Sequence, residues 1–430
     1  GGRRLGLLGG FATPALLSTG ENRPIPLFAY LMLLNVGLAW VAYRQVWPVL
    51  TALTLILTTI YQWVWVSKFL TANDLSLAVG IFALFPVLSV SALLLGRRGR
   101  AAGQSGEGVF EGSAMVSAAL PLAFAGYLAV VPEYGSHPVL LFGFLLMIDA
   151  GLLAISLALR RPALHAVGAV MTVFIWAVWL TTSYRPGDWA IAVSFVSAFA
   201  ALYLFAPGIA GWFKRPLTGS AARAVHAAAA LLFVFPVLAR IEPAAASPWP
   251  IFGVLLVLVV LCGWRAAALD RGRVFFAASF FAVATEAVWS ATHLTVDRLR
   301  PAVIVYALFG VTLTAIPFVA RRMKHPLRPQ AGGGFVLIAS LALLLFLSVG
   351  PIAPAALWAL ALLLAILNAG MFVESASSRI PTLSQIGSVL SWLVLAVWWS
   401  ETAGVVGLLP SLAVLTALTL ITLAGHAWVH

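Results

Sequence analysis

The chain has 430 residues, of which 62% are hydrophobic and only 9% are charged, and its mean hydropathy is +1.05. Soluble domains contain about 25% charged residues, so this composition excludes a soluble globular protein and indicates a polytopic membrane protein. The apolar runs are long and continuous, which predicts membrane-spanning helices rather than the alternating strands of a barrel. Cys262 is the only cysteine, which excludes an intrachain disulfide and a cysteine-rich metal site.

The net charge of +12 follows the pattern of a multi-pass membrane protein and does not indicate nucleic-acid binding. With a cytoplasmic start, 19 of the 25 basic residues fall in inner loops, as the positive-inside rule expects. The other six fall in outer loops: Arg23, Lys68, Arg185, Arg240, Arg298 and Arg300. We therefore predict a bacterial inner-membrane protein with both ends of the chain in the cytoplasm.

Sixteen apolar segments follow one another along the chain and predict an all-α transmembrane bundle of about sixteen spans. They form four units of four segments: 5–19, 26–43, 47–66 and 75–96, then 113–131, 138–159, 163–182 and 189–212, then 221–238, 248–264, 274–292 and 301–320, and finally 334–350, 354–373, 381–400 and 404–425. Four segments bring each unit back to the same side of the membrane. The predicted domains are thus four parallel repeats at residues 1–96, 113–212, 221–320 and 334–430.

A recurring spacing supports this division into repeats. Thirty-seven positions separate the aromatic residue that opens the second segment of a unit from the tryptophan that ends the third: Phe28 to Trp65, Phe142 to Trp179, and Phe252 to Trp289. In the fourth unit, 37 positions before Trp398 lies Ala361. Seven positions into these hairpins stand Asn35, Asp149, Val259 and Asn368.

Asp149 is the first candidate site residue, because an acid at mid-bilayer depth needs a partner or water. It has two interpretations. In one it binds a proton or cation during transport. In the other it forms a hydrogen bond between helices, as Asn35 and Asn368 are able to do at the matching positions without titrating. The asparagines at the matching positions of two other units favour the interpretation that Asp149 forms a hydrogen bond between helices.

Two further polar residues and four tryptophans complete the candidate set. Glu286 lies three residues before Trp289, and Gln62 is its counterpart in the first unit. A glutamate that is solvated or hydrogen-bonded near the interface is the simpler interpretation of Glu286. Trp65, Trp179, Trp289 and Trp398 lie at predicted outer helix ends, which is typical of an aromatic belt.

The chain contains none of the motifs that would indicate an enzyme. HExxH, GxSxG, a Walker loop and a strand-borne GxGxxG are all missing, and the seven histidines show no metal-ligand spacing. We predict no catalytic residue, no metal site and no cofactor. An intramembrane enzyme acting on lipid-linked substrates would need paired acids in an outer loop, and the outer acids Glu133, Asp188 and Asp297 are single.

The opening GGFATPALLSTG, followed by LFAYLMLLNVG, resembles a bacterial family of large predicted polytopic membrane proteins of unknown function. Members of that family are usually longer, often with a coiled-coil amino-terminal region. The resemblance therefore implies an inner-membrane location and a further region before residue 1. It implies no catalytic residues.

Three functions remain open on the sequence alone. The leading one is a transporter or flippase with a polar site at mid-membrane depth around Asp149. The alternative is a structural or assembly subunit of a membrane or envelope complex, and an intramembrane enzyme ranks last. The expected partners are membrane lipids and other membrane subunits, with no nucleic acid. A water-accessible cavity reaching Asp149 would favour transport, whereas a dry contact between helices would favour the scaffold.

Overall fold

The computed structural model describes residues 11–13, 21–44, 48–98 and 107–429, and within these ranges all regular structure is helical. Fifteen long helices follow one another: α1 Pro24–Arg44, α2 Pro48–Phe69, α3 Leu75–Arg98, α4 Glu107–Val130, α5 Pro138–Leu159, α6 Pro162–Thr182, α7 Trp189–Trp212, α8 Gly219–Ile241, α9 Pro248–Ala268, α10 Gly272–His293, α11 Leu299–Arg322, α12 Gly332–Ser348, α13 Leu357–Ser378, α14 Pro381–Thr402 and α15 Leu408–Val429.

The all-α prediction is confirmed, and each apolar segment from 26–43 onward corresponds to one of these helices. The first predicted segment, 5–19, lies almost wholly outside the described residues. Thirteen of the described helices are long and apolar enough to cross a membrane. The apolar parts of α4 and α12, Met115–Val130 and Gly332–Ser348, are shorter. The count of sixteen spans and the fourfold repeat stay predictions.

Proline and left-handed residues mark the helix boundaries. Proline occupies the first turn of α5, α6, α9 and α14, where its missing N–H has no helical partner to lose. α5 and α13 are followed by Arg160 (φ 55°) and Arg379 (φ 57°), and α9 is followed by Asp270 (φ 52°). The left-handed residue reverses the chain within two or three residues. Antiparallel hairpins with short turns result.

Among the described residues, two predicted segments are divided into shorter helical pieces: α12 is interrupted at Leu344, and α8 is divided more extensively. A single continuous helix was expected over 221–238, whereas the structure has helical pieces at Gly219–Arg223, His226–Ala230 and Val234–Ile241, with a 3₁₀ turn at Leu231–Phe233. Pro236 gives the reason, because its ring would clash with the carbonyl of residue 232 in a regular α-helix. The tighter 3₁₀ turn before it relieves that clash.

The helices group into two compact units. The first comprises residues 1–184 and 210–222, and the second comprises residues 185–209 and 223–430. In the first unit, α4 packs against α2, α3, α5 and α6. In the second, α10 packs against α8, α9 and α12, while α13 packs against α11, α12, α14 and α15. The division falls inside the predicted second repeat, so the four repeat domains stay a prediction.

Candidate functional site

Four helix hairpins carry the residues singled out by the repeat spacing: α1–α2, α5–α6, α9–α10 and α13–α14. In the last three, the two helices pack along each other after turns centred on Arg160, Asp270 and Arg379. In an antiparallel hairpin, residues equally far from the turn lie at the same depth. Each helix therefore brings its middle opposite the middle of its neighbour.

A polar pair joins the two helices of three hairpins, always between residues 23 positions apart. Asn35 donates through Nδ2 to Thr58 Oγ1 at 2.9 Å. Thr172 donates through Oγ1 to Asp149 Oδ2 at 2.6 Å. Asn368 donates through Nδ2 to Ser391 Oγ at 2.8 Å. An amide or carboxyl on the first helix thus faces a hydroxyl on the second.

The number of residues between each pair and its turn sets how far the pair lies from the end of the hairpin. Asp149 lies 11 residues before Arg160, and Thr172 lies 11 residues after Arg161. At 1.5 Å per residue this is about 17 Å from the turn, roughly half the thickness of a bilayer hydrocarbon core. A hydrogen bond between neighbouring helices at that depth satisfies groups that hydrocarbon would leave without partners.

Asp149 is closely enclosed. Only 1% of its surface is exposed, and Thr172 is fully buried. Gly168 lies one turn before Thr172 on the same face of α6, and a Cβ built there would stand 2.6 Å from Asp149 Oδ1. The absence of a side chain at residue 168 therefore lets the carboxyl lie directly against the backbone of α6.

The two asparagines use their amides differently from the carboxyl of Asp149. Each Nδ2 also donates to the carbonyl one turn earlier, Leu31 O at 2.7 Å and Leu364 O at 2.8 Å. Ser391 in turn donates to Gly387 O at 2.8 Å. These bonds satisfy the Nδ2 donors within each hairpin, and Thr58 also bonds Asn35 Oδ1 at 3.3 Å, whereas Asn368 Oδ1 has no hydrogen-bond partner among the described residues.

The third hairpin has apolar residues at the two matching positions. Residue 259 is valine, and the residue 23 positions later is Ala282. Both are fully buried. An apolar pair thus stands where the other hairpins have a hydrogen bond.

The four tryptophans are buried, with 0–3% of each surface exposed. Each indole donates to the segment that leads into the first helix of its hairpin. The acceptors are Asn22 Oδ1 for Trp65, Gly135 O for Trp179, Ala245 O for Trp289 and Ala353 O for Trp398, at 2.9, 2.9, 2.7 and 2.6 Å. The rings therefore pack inside protein rather than facing lipid headgroups, as an aromatic belt would have them. The depth of these helix ends in the membrane stays a prediction.

The partner phenylalanines complete the same contact. Phe28, Phe142 and Phe252 each pack edge-to-face on the tryptophan 37 positions later, with interplanar angles of 86°, 82° and 83°. In the second hairpin, the segment that accepts the indole bond is itself fixed, because Tyr134 donates to Leu70 O at 2.9 Å. Burial, together with the nearby Tyr127 and Glu133, raises the pKa of the Tyr134 hydroxyl. The hydroxyl stays a hydrogen-bond donor.

The amino-terminal part of the chain is similar to a known protein family. Residues 4–134 match the family described as "Predicted membrane protein (DUF2339)". The match confirms the resemblance of the amino-terminal part to a family of predicted membrane proteins of unknown function, and it covers less than a third of the chain. No curated protein and no solved structure matches the chain.

Glu286 and Gln62 lie in different surroundings, although they occupy matching positions in the repeat spacing. Glu286 is 2% exposed, which excludes the solvated alternative, while a hydrogen-bonded glutamate stays a prediction. Its Oε1 atom makes no hydrogen bond within the described part of the chain. Gln62 instead lines a cavity of about 20 Å³ together with Asn35, Thr58 and Ser117. That volume holds about one water molecule.

The sequence reasoning missed an ion pair between a buried glutamate and a partly buried arginine. Arg321, in the last turn of α11, donates through Nη1 to Glu374 Oε1 of α13 at 3.2 Å and through Nη2 to Oε2. Glu374 is buried, and a Cβ on Gly333 would lie 2.7 Å from its Oε1. The signal in the sequence was a single acid just beyond the predicted segment 354–373. Among the described residues, no three His, Cys, Asp or Glu side chains come together as a metal site would need.

Proposed function

We propose that the chain is a structural or assembly subunit of a membrane complex, built from four copies of a four-helix unit. In this proposal, the polar residues at mid-membrane depth join helices and carry no substrate. The membrane location has the support of the many apolar helices and of the family match at residues 4–134. The scaffold role is argued from the polar pairs.

One observation carries the proposal: the polar pair of three hairpins is replaced by Val259 and Ala282 in the other hairpin. A group that binds a proton or ion has no apolar substitute, whereas a helix-packing contact has one. The shared element is the close approach of two helices. Hydrogen bonding or apolar packing both achieve it.

The surroundings of Asp149 support the same interpretation. A transporter needs water or substrate to reach the coupling residue, and Asp149 is almost wholly enclosed by Thr172 and the backbone at Gly168. The cavity beside Asn35 is large enough for about one water molecule, far below the roughly 300 Å³ of a small-ligand pocket.

The test replaces Asp149 and Thr172 of the second hairpin with the valine and alanine that the third hairpin has at the matching positions. Asp149→Val alone leaves the Thr172 hydroxyl without its acceptor, and Thr172→Ala alone leaves the acid without its donor. Each single variant should lose about 1–3 kcal/mol of stability. The double variant Asp149→Val/Thr172→Ala should be more stable than the sum of the two losses predicts, because the pair is then apolar throughout. Thermal unfolding of the detergent-purified full chain, followed by tryptophan fluorescence, measures this.

Asp149→Asn is the matched control, because it keeps the shape of the side chain and removes the titrating proton. The proposal expects it to fold as the wild type does and to leave cellular function unchanged. Proteoliposomes containing a pH-sensitive dye should show no proton flux dependent on residue 149. A wild-type proton flux that Asp149→Asn abolishes, in a protein of unchanged stability, would sink the scaffold role.

Glu286 favours a second candidate function, a proton-coupled transporter. Its carboxyl is buried, Oε1 has no hydrogen-bond partner among the residues that the structure describes, and the nearby Ser290 contacts the hydroxyl of Tyr306. Such a group in a membrane helix marks a proton path in many pumps. Glu286→Gln tests it in the same proteoliposomes. Loss of flux with unchanged unfolding temperature would support transport, and no difference in flux would remove this candidate.

A further inference from the structure

A surface cavity of about 330 Å³ lies at the inner end of the α5–α6 hairpin. Its wall is formed by the turn between these helices, at Ser156, Leu157, Arg160 and Pro162, and by residues 214–218 after α7. All of these residues belong to the first compact unit. The distribution of basic residues predicts that this end of the hairpin is cytoplasmic.

Three cations line this cavity: Arg160, Lys214 and Arg215. The other lining residues are uncharged, and Leu157 and Leu217 make part of the wall apolar. Arg215 is held in place, because its Nη1 donates to Leu157 O at 2.8 Å and to Ala158 O at 3.3 Å at the end of α5. A guanidinium has five N–H donors, so others stay available for an anion.

Two of these cations stand at left-handed backbone positions, as do Lys324 and Arg379, which do not line the cavity. Arg160 and Lys214 adopt left-handed φ values of 55° and 54°. Glycine takes this conformation without strain, whereas any other residue pays about 1 kcal/mol or more. The chain nevertheless has a basic residue at each position, and both side chains border the same cavity.

We propose that this cavity binds the phosphate of an anionic phospholipid headgroup. Three converging cations match a phosphate, and basic pockets between helices at the cytoplasmic surface suit such headgroups. The volume is at the lower limit for small-ligand pockets, which suits a phosphoglycerol group. Leu157 and Leu217 add apolar contact for the glycerol and the upper part of the acyl chains. A free phosphate would use the cations alone. The site is independent of the scaffold role.

The experiment removes two cations without straining the backbone. In Arg160→Gly/Lys214→Gly, both changes place glycine where φ is already left-handed, so the helix ends keep their geometry. The full chain is reconstituted in nanodiscs containing an equimolar mixture of phosphatidylglycerol and phosphatidylcholine. Native mass spectrometry of lipids retained on release then compares the two headgroups. The wild type should retain phosphatidylglycerol selectively, and the variant should bind it about 30-fold more weakly, roughly fivefold for each basic residue.

The matched control is Lys324→Gly/Arg379→Gly, which removes two cations from left-handed positions that do not line the cavity. It should retain phosphatidylglycerol as the wild type does. Equal selectivity in the wild type and in Arg160→Gly/Lys214→Gly would overturn the proposal, as would equal losses in both double variants.

Inorganic phosphate distinguishes the source of the anion. Calorimetry of the detergent-purified chain with inorganic phosphate should show no binding at 1 mM, on the order of a cellular concentration, because the apolar wall is then unused. Saturable phosphate binding that Arg160→Gly/Lys214→Gly abolishes, with no selectivity for phosphatidylglycerol, would replace the lipid with a soluble phosphate and overturn the proposal.

Discussion

Gly168 is the residue on which the contact between α5 and α6 depends most directly. A Cβ there would stand 2.6 Å from Asp149 Oδ1 and 3.0 Å from a methyl carbon of Leu152. Gly168→Ala should therefore force the helices apart and break the bond between Asp149 and Thr172. We expect a loss of about 1–3 kcal/mol, the usual cost of overpacking. Thermal unfolding in detergent, followed by tryptophan fluorescence, measures it.

Gly151→Ala is the control for that change. Residue 151 lies on α5 two positions after Asp149, and a Cβ there meets nothing within 4 Å. Alanine favours a helix over glycine by roughly 0.5–1 kcal/mol, so the control should be neutral or slightly stabilising. Equal destabilisation by both variants would mean that Gly168 serves the helix itself rather than the contact.

The sequence predicted one half of each polar pair and missed the other. Asn35, Asp149 and Asn368 were found because a buried amide or acid is rare in apolar segments. Thr58, Thr172 and Ser391 were not, because hydroxyl residues are frequent in membrane helices and bond readily to their own backbone. They could have been found by counting the same number of residues from each turn into both helices. Asp149 and Thr172 lie equally far from the turn at Arg160 and Arg161, as Asn368 and Ser391 do from the turn between α13 and α14. The distance of these hydroxyl residues from the turn, rather than their residue type, identifies them as the partners.

At the scale of helices, the ion pair between Arg321 and Glu374 fixes α11 against α13. Removal of one partner leaves a charge in a buried site, which typically costs about 3–5 kcal/mol. Arg321→Ala and Glu374→Ala should each destabilise the second compact unit by this order. Arg321→Met/Glu374→Leu should lose less than either single variant, because no charge then remains in the site.

Cys262 provides the readout for this unit. It is the only cysteine, it is fully buried, and it lies in α9 of the same unit. A thiol-reactive fluorogenic dye therefore reports unfolding without an engineered label. Arg322→Ala is the control, because Arg322 is the exposed neighbour and loses only its packing over the ring of Phe318, which should cost about 1 kcal/mol or less. A loss in Arg321→Met/Glu374→Leu as large as in the single variants would contradict the expectation that an unpaired charge causes the destabilisation.

Helix positions were predictable because hydropathy and proline decide them locally. Residues 138–159 and 189–212 were predicted with the bounds that the structure has. The contacts between helices were not predictable in the same way. The bond from Trp179 to Gly135 and the pair of Arg321 with Glu374 join residues 44 and 53 positions apart. Which faces of two apolar helices meet depends on packing that single-sequence hydropathy does not encode.

At the scale of the whole molecule, the orientation of the chain depends on whether α4 crosses the membrane. Its apolar part, Met115–Val130, is about 24 Å long at 1.5 Å per residue, somewhat short of the roughly 30 Å hydrocarbon core. Local thinning of the bilayer accommodates such a difference at modest cost. If α4 and α12 did not cross, the twelve inner basic residues from Arg160 to Arg328 would lie outside. The asymmetry of charge would then disappear, against the positive-inside rule.

Two single-cysteine positions test this crossing directly. Lys68 lies in the last turn of α2 and Arg160 directly follows α5, and both are exposed. Three helices, α3, α4 and α5, separate them, so they lie on opposite sides if all three cross and on the same side if α4 does not. A membrane-impermeant maleimide applied to intact cells should label Lys68→Cys, and it should label Arg160→Cys only after permeabilisation. The native Cys262 should not react with the maleimide because it is buried. Labelling of both positions in intact cells would contradict the sixteen-span topology.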